Sequence, residues 1–262
     1  MKIKILYEDK DILAIEKPSG ISVHADGRSK EKTIADWVML NYPKMKKVGE
    51  PMGEISRPGI VHRLDKETSG VLLLAKNQKA YEFLKQQFQD RRIKKTYVAI
   101  VDGFIKNDNG IINKSIGRSP SDFRRRLAGR GARGELREAV TEYKVLKRFE
   151  TKAQVCQNFS SCALPRVRGG TLGVKNSDKP ALCKFSYLEI YPKTGRTHQI
   201  RVHMKFFCHP VVCDSLYDPS GFCPVGLSRL ALHAKAIEFT NLKEDKIKVE
   251  SKVPKDILRF IL

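Results

Sequence analysis

Hydrophobic and polar residues alternate along much of this chain with the two-residue period of a β-strand. The alternation predicts strands at 3–8, 11–17, 95–101, 138–149, 183–191 and 230–240, and a continuous apolar run at 71–75 predicts a fully buried strand. Helical spacing occurs at 32–42, after Asn77 and after Pro254. Strands outnumber helices, and most are joined by turns too short for parallel crossovers. The pattern therefore predicts an α+β domain with flanking helices on a mostly antiparallel sheet.

The length of the chain suits one large domain or two small ones, and we favour one. It has 262 residues, of which 41% are hydrophobic, enough to form a substantial core. We therefore interpret residues 1–262 as a single domain. The segment 151–182 separates two strands that should form a hairpin, and it is roughly 25 residues longer than an ordinary hairpin loop. We expect it to be a long loop insertion on the surface.

Charge separates this sequence from an ordinary globular protein. Fifty Lys and Arg residues against 29 Asp and Glu residues give a formal net charge of +21. Cationic surfaces gain affinity for polyanions by displacing counterions from phosphates, so the expected partner is a nucleic acid. No apolar run approaches the roughly 20 residues that span a bilayer, and the N-terminus lacks the apolar core of a signal peptide. We expect a cytoplasmic protein without a membrane partner, whose six cysteines are free thiols.

The most informative segment is 59–70, which reads Gly-Ile-Val-His-Arg-Leu-Asp-Lys-Glu-Thr-Ser-Gly and leads directly into the apolar strand at 71–75. It places Asp65 on a short loop held by a rigid strand, where catalytic groups are often found. An Asp that merely caps a turn is the simpler interpretation of an isolated residue. These residues alone leave both interpretations open. The resemblance of the whole segment to a known family signature favours a catalytic role for Asp65.

The run His-Arg-Leu-Asp-x-x-Thr-Ser-Gly resembles the signature of the RluA-type RNA pseudouridine synthases, and Asp65 falls at the catalytic aspartate of that family. The resemblance covers nearly the whole chain, beginning at Ile5. It implies the pseudouridine synthase fold, with a central active-site cleft across the sheet. Many relatives carry an accessory RNA-binding domain before this point, and we expect none here. The resemblance also implies that Arg63 fills the gap left by a flipped uridine.

Two further segments resemble motifs of the same family. Residues 95–103 resemble the second motif, which implies that Tyr97 stacks on the target base beside the aspartate. Residues 191–204 resemble the third motif, which implies that Arg201 is the basic partner of Asp65. We expect Thr197 to be the N-cap of the helix that carries this arginine.

Basic and polar residues near these motifs are candidates for RNA contacts. Residues 118–137 contain seven arginines interspersed with glycines, which predicts a mobile segment that becomes ordered on RNA phosphates. The candidate RNA-binding residues are His62, Arg63, Arg124, Arg125, Arg126, Arg196, Thr197, His198 and Gln199.

The predicted function is the isomerisation of specific uridines to pseudouridine in structured RNA, either rRNA or tRNA, by Asp65, Tyr97 and Arg201. This intramolecular transfer of uracil from an N- to a C-glycoside needs no cofactor. The histidines and cysteines lack zinc-site spacing, so we expect no metal. We expect a monomer. The alternative is a non-catalytic RNA-binding or ribosome-assembly protein on the same fold. Such a protein would be expected to lose the three catalytic residues first, and all three are present.

Overall fold

The computed structural model describes residues 1–25, 31–50, 56–152, 182–221 and 223–261. Within these ranges the chain forms twelve β-strands and four α-helices. The strands are β1 (Lys4–Glu8), β2 (Ile12–Lys17), β3 (Ser69–Ala75), β4 (Lys94–Asp102), β5 (Asn109–Asn113), β6 (Ile116–Arg118), β7 (Arg126–Ala128), β8 (Arg133–Arg137), β9 (Val140–Lys152), β10 (Leu182–Pro192), β11 (Leu232–Thr240) and β12 (Lys246–Glu250). The helices are α1 (Ile34–Asn41), α2 (Gln78–Gln89), α3 (Gln199–Phe206) and α4 (Lys255–Ile261).

Nine of the described strands form one sheet in the order β1-β2-β3-β11-β4-β10-β9-β5, with β12 paired to β11. Among the described strands, β3 and β11 form the only parallel pair, and every other pairing is antiparallel. The prediction of an α+β domain on a mostly antiparallel sheet is confirmed. Strand β11 lies between β3 and β4. It therefore sets the distance between β3, which follows Asp65, and β4, which contains Tyr97.

The contact between β3 and β11 is unusually close at Gly70. A Cβ atom at this position would lie 2.1 Å from the carbonyl oxygen of Ala234, and the backbone φ of Gly70 is +118°. Only glycine tolerates both conditions. The glycine that ends the first motif therefore allows the parallel pair to form.

Strand β3 is buried on both faces, as its continuous apolar sequence predicts. Leu72 and Leu74 pack with Trp37 of α1 on one side, whereas Leu73 packs with Leu84 of α2 on the other. Because side chains alternate along a strand, the two sides belong to opposite faces of the sheet. The two helices thus flank the strand that follows Asp65 and hold it rigidly.

The segment predicted to be mobile instead folds into a second, three-stranded sheet of β6, β7 and β8. We call residues 116–137 the arginine-rich sheet. Its Ile116 and Ala128 pack against Val202 of α3 and against Tyr217. This small apolar core explains the difference from the prediction, because the high arginine content conceals the few residues that dock the sheet on the domain.

Two local predictions also differ from the structure, and a third lies largely outside the described residues. Helix α3 begins at Gln199, and its N-cap is His198 in a left-handed conformation rather than Thr197. Cys213 and Cys223 form a disulfide, whereas Cys183 and Cys208 are free. The predicted insertion 151–182 overlaps the ends of β9 and β10, and the remainder, 153–181, lies outside the described residues.

Candidate active site

A hollow of ≈ 470 Å³ opens where the first, second and third motifs meet. Asp65, Tyr97 and Arg201 all line it. Strand register explains the convergence, because Ala234 of β11 pairs with Gly70 on one side and with Tyr97 on the other. The three residues are far apart in sequence, and the sheet brings them to one place. We call this cavity the catalytic hollow.

Asp65 is held close to two basic side chains. Its carboxylate lies 3.6 Å from Nη1 of Arg201 and 3.9 Å from Nε2 of His198, and only 18% of the side chain is exposed. The positive guanidinium attracts the carboxylate across this distance. The predicted pairing of Asp65 with Arg201 is thus present, although it is not the closest contact that this arginine makes.

The closest partner of Arg201 is Asp214, which the motif comparison did not single out. Nε and Nη2 of Arg201 donate to the two oxygens of Asp214 at 2.7 Å each. The Asp214 carboxylate is buried and also accepts the backbone N–H groups of Leu216 and Tyr217. This two-point bond fixes the plane of the guanidinium. Nη1 of Arg201 is thereby left facing Asp65.

His198 is oriented by a second residue that the motifs did not identify. Its Nδ1 lies 2.9 Å from the hydroxyl of Tyr217. The same hydroxyl accepts the backbone N–H of Arg126 at 2.9 Å. Burial lowers the pKa of His198, an effect that the charge of Asp65 opposes. The ring is therefore neutral at pH 7. Tyr217 thus connects the arginine-rich sheet to His198, which lies beside the Asp65 carboxylate.

The loop that carries Asp65 is anchored by Lys17 at the end of β2. The Lys17 ammonium donates to the carbonyl oxygens of Pro18, Ile21 and Lys66 at 2.8 to 2.9 Å. Burial lowers the pKa of Lys17 to about 7, although the charge of Asp65 opposes this shift. The three hydrogen bonds fix the backbone immediately after Asp65.

Tyr97 and Lys95 enter the catalytic hollow from one strand, β4. Burial raises the pKa of Tyr97, and the negative charge of Asp65 raises it further, so the phenol keeps its proton at neutral pH. Burial lowers the pKa of Lys95 to about 8. A neutral aromatic ring with a cation beside it is suited to contact a flat, polar base.

The other predicted residues of the first motif occupy different environments. Arg63 is exposed at the catalytic hollow, where a guanidinium is accessible to RNA. The ring of His62 stacks on Phe88 at a centroid distance of 4.8 Å. Its Nε2 accepts the backbone N–H of Leu73 at 2.9 Å, which requires an unprotonated nitrogen. His62 therefore lines the hollow with its ring while one nitrogen is already occupied.

The third-motif residues also divide by environment. The Gln199 amide is buried and bonded to Val140, Thr141 and Thr194 within the protein. Gln199 therefore fixes the turn before α3. In contrast, Arg196 is half-buried and Thr197 is exposed, and both line the catalytic hollow. Arg124, Arg125 and Arg126 do not line it and belong to the arginine-rich sheet.

The catalytic hollow contains a polar group that the protein itself does not satisfy. The Thr68 hydroxyl is buried and has no hydrogen-bond partner among the described residues. Such groups are uncommon in folded proteins, and Thr68 lines the hollow. A bound ligand with a polar atom at this position would satisfy it. Within the described ranges, no group of three or more His, Cys, Asp or Glu side chains is arranged to hold a metal.

Comparison with known proteins identifies the family. Residues 11–206 match the family model described as RNA pseudouridylate synthase. The chain belongs to this family. The predicted family and enzyme class, an RNA pseudouridine synthase, are thereby confirmed. No helix in the described ranges has the length and hydropathy needed to cross a membrane.

Similar proteins extend over most of the chain. Ribosomal large subunit pseudouridine synthase D of Borreliella burgdorferi is 34% identical over 262 residues, which cover 99% of this chain and 68% of that protein. The uncharacterized RNA pseudouridine synthase YlyB of Bacillus subtilis is 31% identical, with 100% of this chain and 72% of the relative covered. An uncharacterized RNA pseudouridine synthase of Aquifex aeolicus is 37% identical over 82% of this chain, but this covers only 56% of the relative.

Solved structures support the fold independently. Human RNA pseudouridylate synthase domain containing 4 superimposes with a TM-score of 0.66, covering 97% of this chain and 90% of the human chain. Human RNA pseudouridylate synthase domain containing 1 gives the same TM-score over 96% and 83% of the two chains. At 24% and 23% identity these matches establish the pseudouridine synthase fold.

Proposed function

We propose that this protein converts specific uridines of large-subunit rRNA to pseudouridine, with Asp65 as the essential catalytic group. The observation that carries the proposal is the position of the Asp65 carboxylate, between Arg201 and His198 in a hollow that Tyr97 also lines. The rRNA substrate is supported by relatives such as the Borreliella burgdorferi protein, whose name assigns it to the large ribosomal subunit.

The reaction needs a carboxylate, a held base and restricted access of water. The bond between N1 of uracil and C1′ of ribose breaks, the uracil turns, and C5 joins C1′. The base loses a proton from C5 and gains one at N1, so the reaction is redox-neutral. Asp65 acts as the nucleophile or as the base, and both roles require the ionised form. Nη1 of Arg201 faces this carboxylate at 3.6 Å and helps to orient it.

We propose that Tyr97 contacts the target base and that Arg63 replaces it in the RNA stack. Tyr97 is in position to contact the base beside Asp65, and its raised pKa keeps the ring uncharged. A uridine in a folded RNA must leave its stack to reach a hollow of this kind. We assign Arg63, exposed at the hollow, to the space that the flipped base vacates. The hydroxyl of Thr68 offers a further polar contact inside the hollow.

We also propose that the protein acts as a monomer in the cytoplasm, where rRNA would be its substrate. The support for a monomer is that a single chain supplies Asp65, Tyr97, Arg201 and the residues that orient them. Light scattering of the purified protein at micromolar concentration tests this directly. A stable dimer would contradict it.

The function is tested by mapping the product. Unmodified large-subunit rRNA, transcribed in vitro, is incubated with the purified protein, and pseudouridines are located by carbodiimide derivatisation and primer extension. Small-subunit rRNA and bulk tRNA transcripts serve as alternative substrates in parallel. We expect new pseudouridine at one or a few positions of large-subunit rRNA. Modification of tRNA alone would reassign the substrate, and no pseudouridine in any RNA would overturn the proposal.

A further inference from the structure

A second hollow of ≈ 380 Å³ lies beside the catalytic hollow, between the arginine-rich sheet and the turn that precedes α3. The two hollows share one wall, because Gly195, Arg196 and Thr197 line both of them. Gly195 contributes no side chain to this wall. A polynucleotide whose uridine occupies the catalytic hollow can therefore continue across the wall into the second hollow.

The second hollow collects positive charge from four separate elements. Arg118 belongs to β6, Arg126 to β7 and Arg137 to β8, while Arg196 lies on the shared wall. Glu135 is the only acidic residue among the residues that line it. Four guanidinium groups against one carboxylate leave a local excess of three positive charges.

These charges are only partly compensated by the protein. Arg137 is bonded to Glu135 at 2.8 Å. In the described part of the chain, no carboxylate forms an ion pair with the other three arginines of this hollow. Arg126 and Arg196 instead donate to backbone carbonyl oxygens. A carbonyl satisfies a donor but does not cancel its charge, so the excess remains available to an anion.

The strand register makes this arrangement costly in the absence of an anion. Arg118 and Arg126 are direct partners across β6 and β7, and like charges at directly opposite positions destabilise a sheet. An anion held between them would turn the repulsion into a favourable contact. Guanidinium groups suit phosphate in particular, because their planar fork can donate two parallel hydrogen bonds.

We propose that the second hollow is a phosphate subsite, which binds the backbone of a nucleotide adjoining the target uridine. The proposal rests on the proposed function, since it takes the catalytic hollow to hold a uridine of an RNA chain. Phosphate contacts of this kind position a nucleic acid without reading its bases. The subsite would therefore set the register of the RNA over Asp65 and leave sequence choice to other contacts.

The test compares two pairs of variants by the salt dependence of RNA binding. A fluorescein-labelled single-stranded oligouridylate is titrated with protein at several salt concentrations, and fluorescence anisotropy gives the affinity. Arg118→Ala removes one cation from the second hollow. Arg259→Ala is its control, because Arg259 is exposed on α4 and lines neither hollow. We expect Arg118→Ala to flatten the slope of log affinity against log salt by about 0.7, as for one lost contact to a single strand, and Arg259→Ala to leave it unchanged.

The second pair of variants tests for an increase in RNA affinity. Glu135→Gln removes the carboxylate from the hollow and frees Arg137, so RNA should bind more tightly. Glu150→Gln is the control, since Glu150 forms an exposed ion pair with Lys184 in the main sheet. If Glu135→Gln and Glu150→Gln change RNA affinity equally, the RNA responds only to the overall charge of the protein, and the subsite is overturned. The same holds if Arg118→Ala and Arg259→Ala change the salt slope equally. Binding of a labelled polyglutamate with the same dependence on Arg118 would reassign the hollow to an acidic peptide.

Turnover separates this proposal from the function on which it rests. In pseudouridine formation on rRNA, Arg118→Ala should raise KM and leave kcat unchanged, because the contact is made equally in ground and transition states. If the wild-type protein forms no pseudouridine but Arg118→Ala still flattens the salt slope selectively, the function fails and the subsite stands. If modification is normal and the two arginine variants behave alike, the subsite fails and the function stands.

Discussion

The catalytic hollow and the arginine-rich sheet both contain short ion pairs, but these pairs lie in different surroundings. Arg201 and Asp214 are 2.7 Å apart, with 7% and 0% of their side chains exposed. Arg124 and Asp122 are 2.8 Å apart, with 63% and 19% exposed. At nearly equal distance, the buried pair interacts more strongly because less water screens it. The buried pair is therefore suited to hold catalytic geometry, whereas the exposed arginine can exchange its partner for a phosphate.

Asp65→Asn should have the largest effect of any single substitution in the catalytic hollow. It keeps the size of the side chain but removes the charge, so neither nucleophilic attack nor proton abstraction is possible. We expect turnover to fall on the order of 10⁴-fold or more, while folding and RNA affinity change little. Pseudouridine formation is measured at equal, demonstrated RNA occupancy. Comparable activity of variant and wild type would remove Asp65 from the mechanism.

Asp214→Ala should be the most destabilising change that we can identify. It removes the two-point partner of the buried Arg201 guanidinium and leaves only Asp65 facing it at 3.6 Å, and breaking a buried ion pair costs about 3 to 5 kcal/mol. Urea unfolding gives the free energy. Asp218→Ala is the control, since Asp218 pairs with Lys205 at 2.7 Å in a partly exposed site and should cost less than about 1 kcal/mol. Similar losses in both variants would contradict the contrast between buried and exposed pairs.

His62 should make the free energy of unfolding depend on pH in the acidic range. Burial lowers its pKa to about 3, whereas the unfolded chain has an ordinary value near 6.5. Between these two values the unfolded state binds a proton that the folded state does not. Stability from His62 is therefore complete above about pH 6.5 and is lost as pH falls, by up to about 1.4 kcal/mol per pH unit.

The measurement for His62 is the free energy of unfolding from pH 7 down to pH 4, for wild type and His62→Gln. The Gln side chain can still accept the backbone N–H of Leu73 but does not titrate. We expect the wild-type curve to fall more steeply. Parallel curves would show that His62 titrates normally in the folded protein.

Replacing Arg124, Arg125 and Arg126 together with Ala should affect binding rather than stability. If each residue neutralises one phosphate, the slope of log affinity against log salt should flatten by about 2 to 3 units. The catalytic hollow remains intact, so turnover at saturating RNA should be retained. An unchanged slope would show that these three arginines do not contact the RNA backbone.

The smallest expected effect is that of Asp122→Ala in the arginine-rich sheet. It is the same chemical change as Asp214→Ala, but it releases one exposed and one half-buried arginine. Stability should change by less than about 1 kcal/mol, and RNA affinity at low salt should rise, because Arg124 and Arg125 lose a competing carboxylate. A loss of several kcal/mol would mean that Asp122 organises the sheet.

Much of the fold could be predicted because the relevant signals are local. The apolar run after Gly70 gave β3, and the helical spacing after Asn77 gave α2, whose first turn Asn77 caps by accepting the backbone N–H of Ala80. The approach of Arg201 to Asp65 was implied by motifs that lie far apart in sequence. Individual strands and helices could therefore be predicted from the residue pattern within each of them.

The residues that orient the site could not be found in this way. Asp214, Tyr217 and Lys17 act through contacts with distant parts of the chain, and none of these contacts has a periodic pattern. Asp214 lies outside all three motifs. Its two-point bond to Arg201 becomes visible only after α3 and the following segment are placed together.

The insertion of β11 between β3 and β4 also determines when the site can exist during synthesis. Ser69 and His233, which are bonded to each other, lie 164 residues apart in the chain. A nascent chain that has reached the end of α3 already contains Asp65, Tyr97 and Arg201, but not the strand that joins β3 to β4 in the sheet. Until β11 emerges, the edge of β3 is unpaired and open to misassociation. Most of the protein must therefore be synthesised before its site is complete and any RNA can be modified.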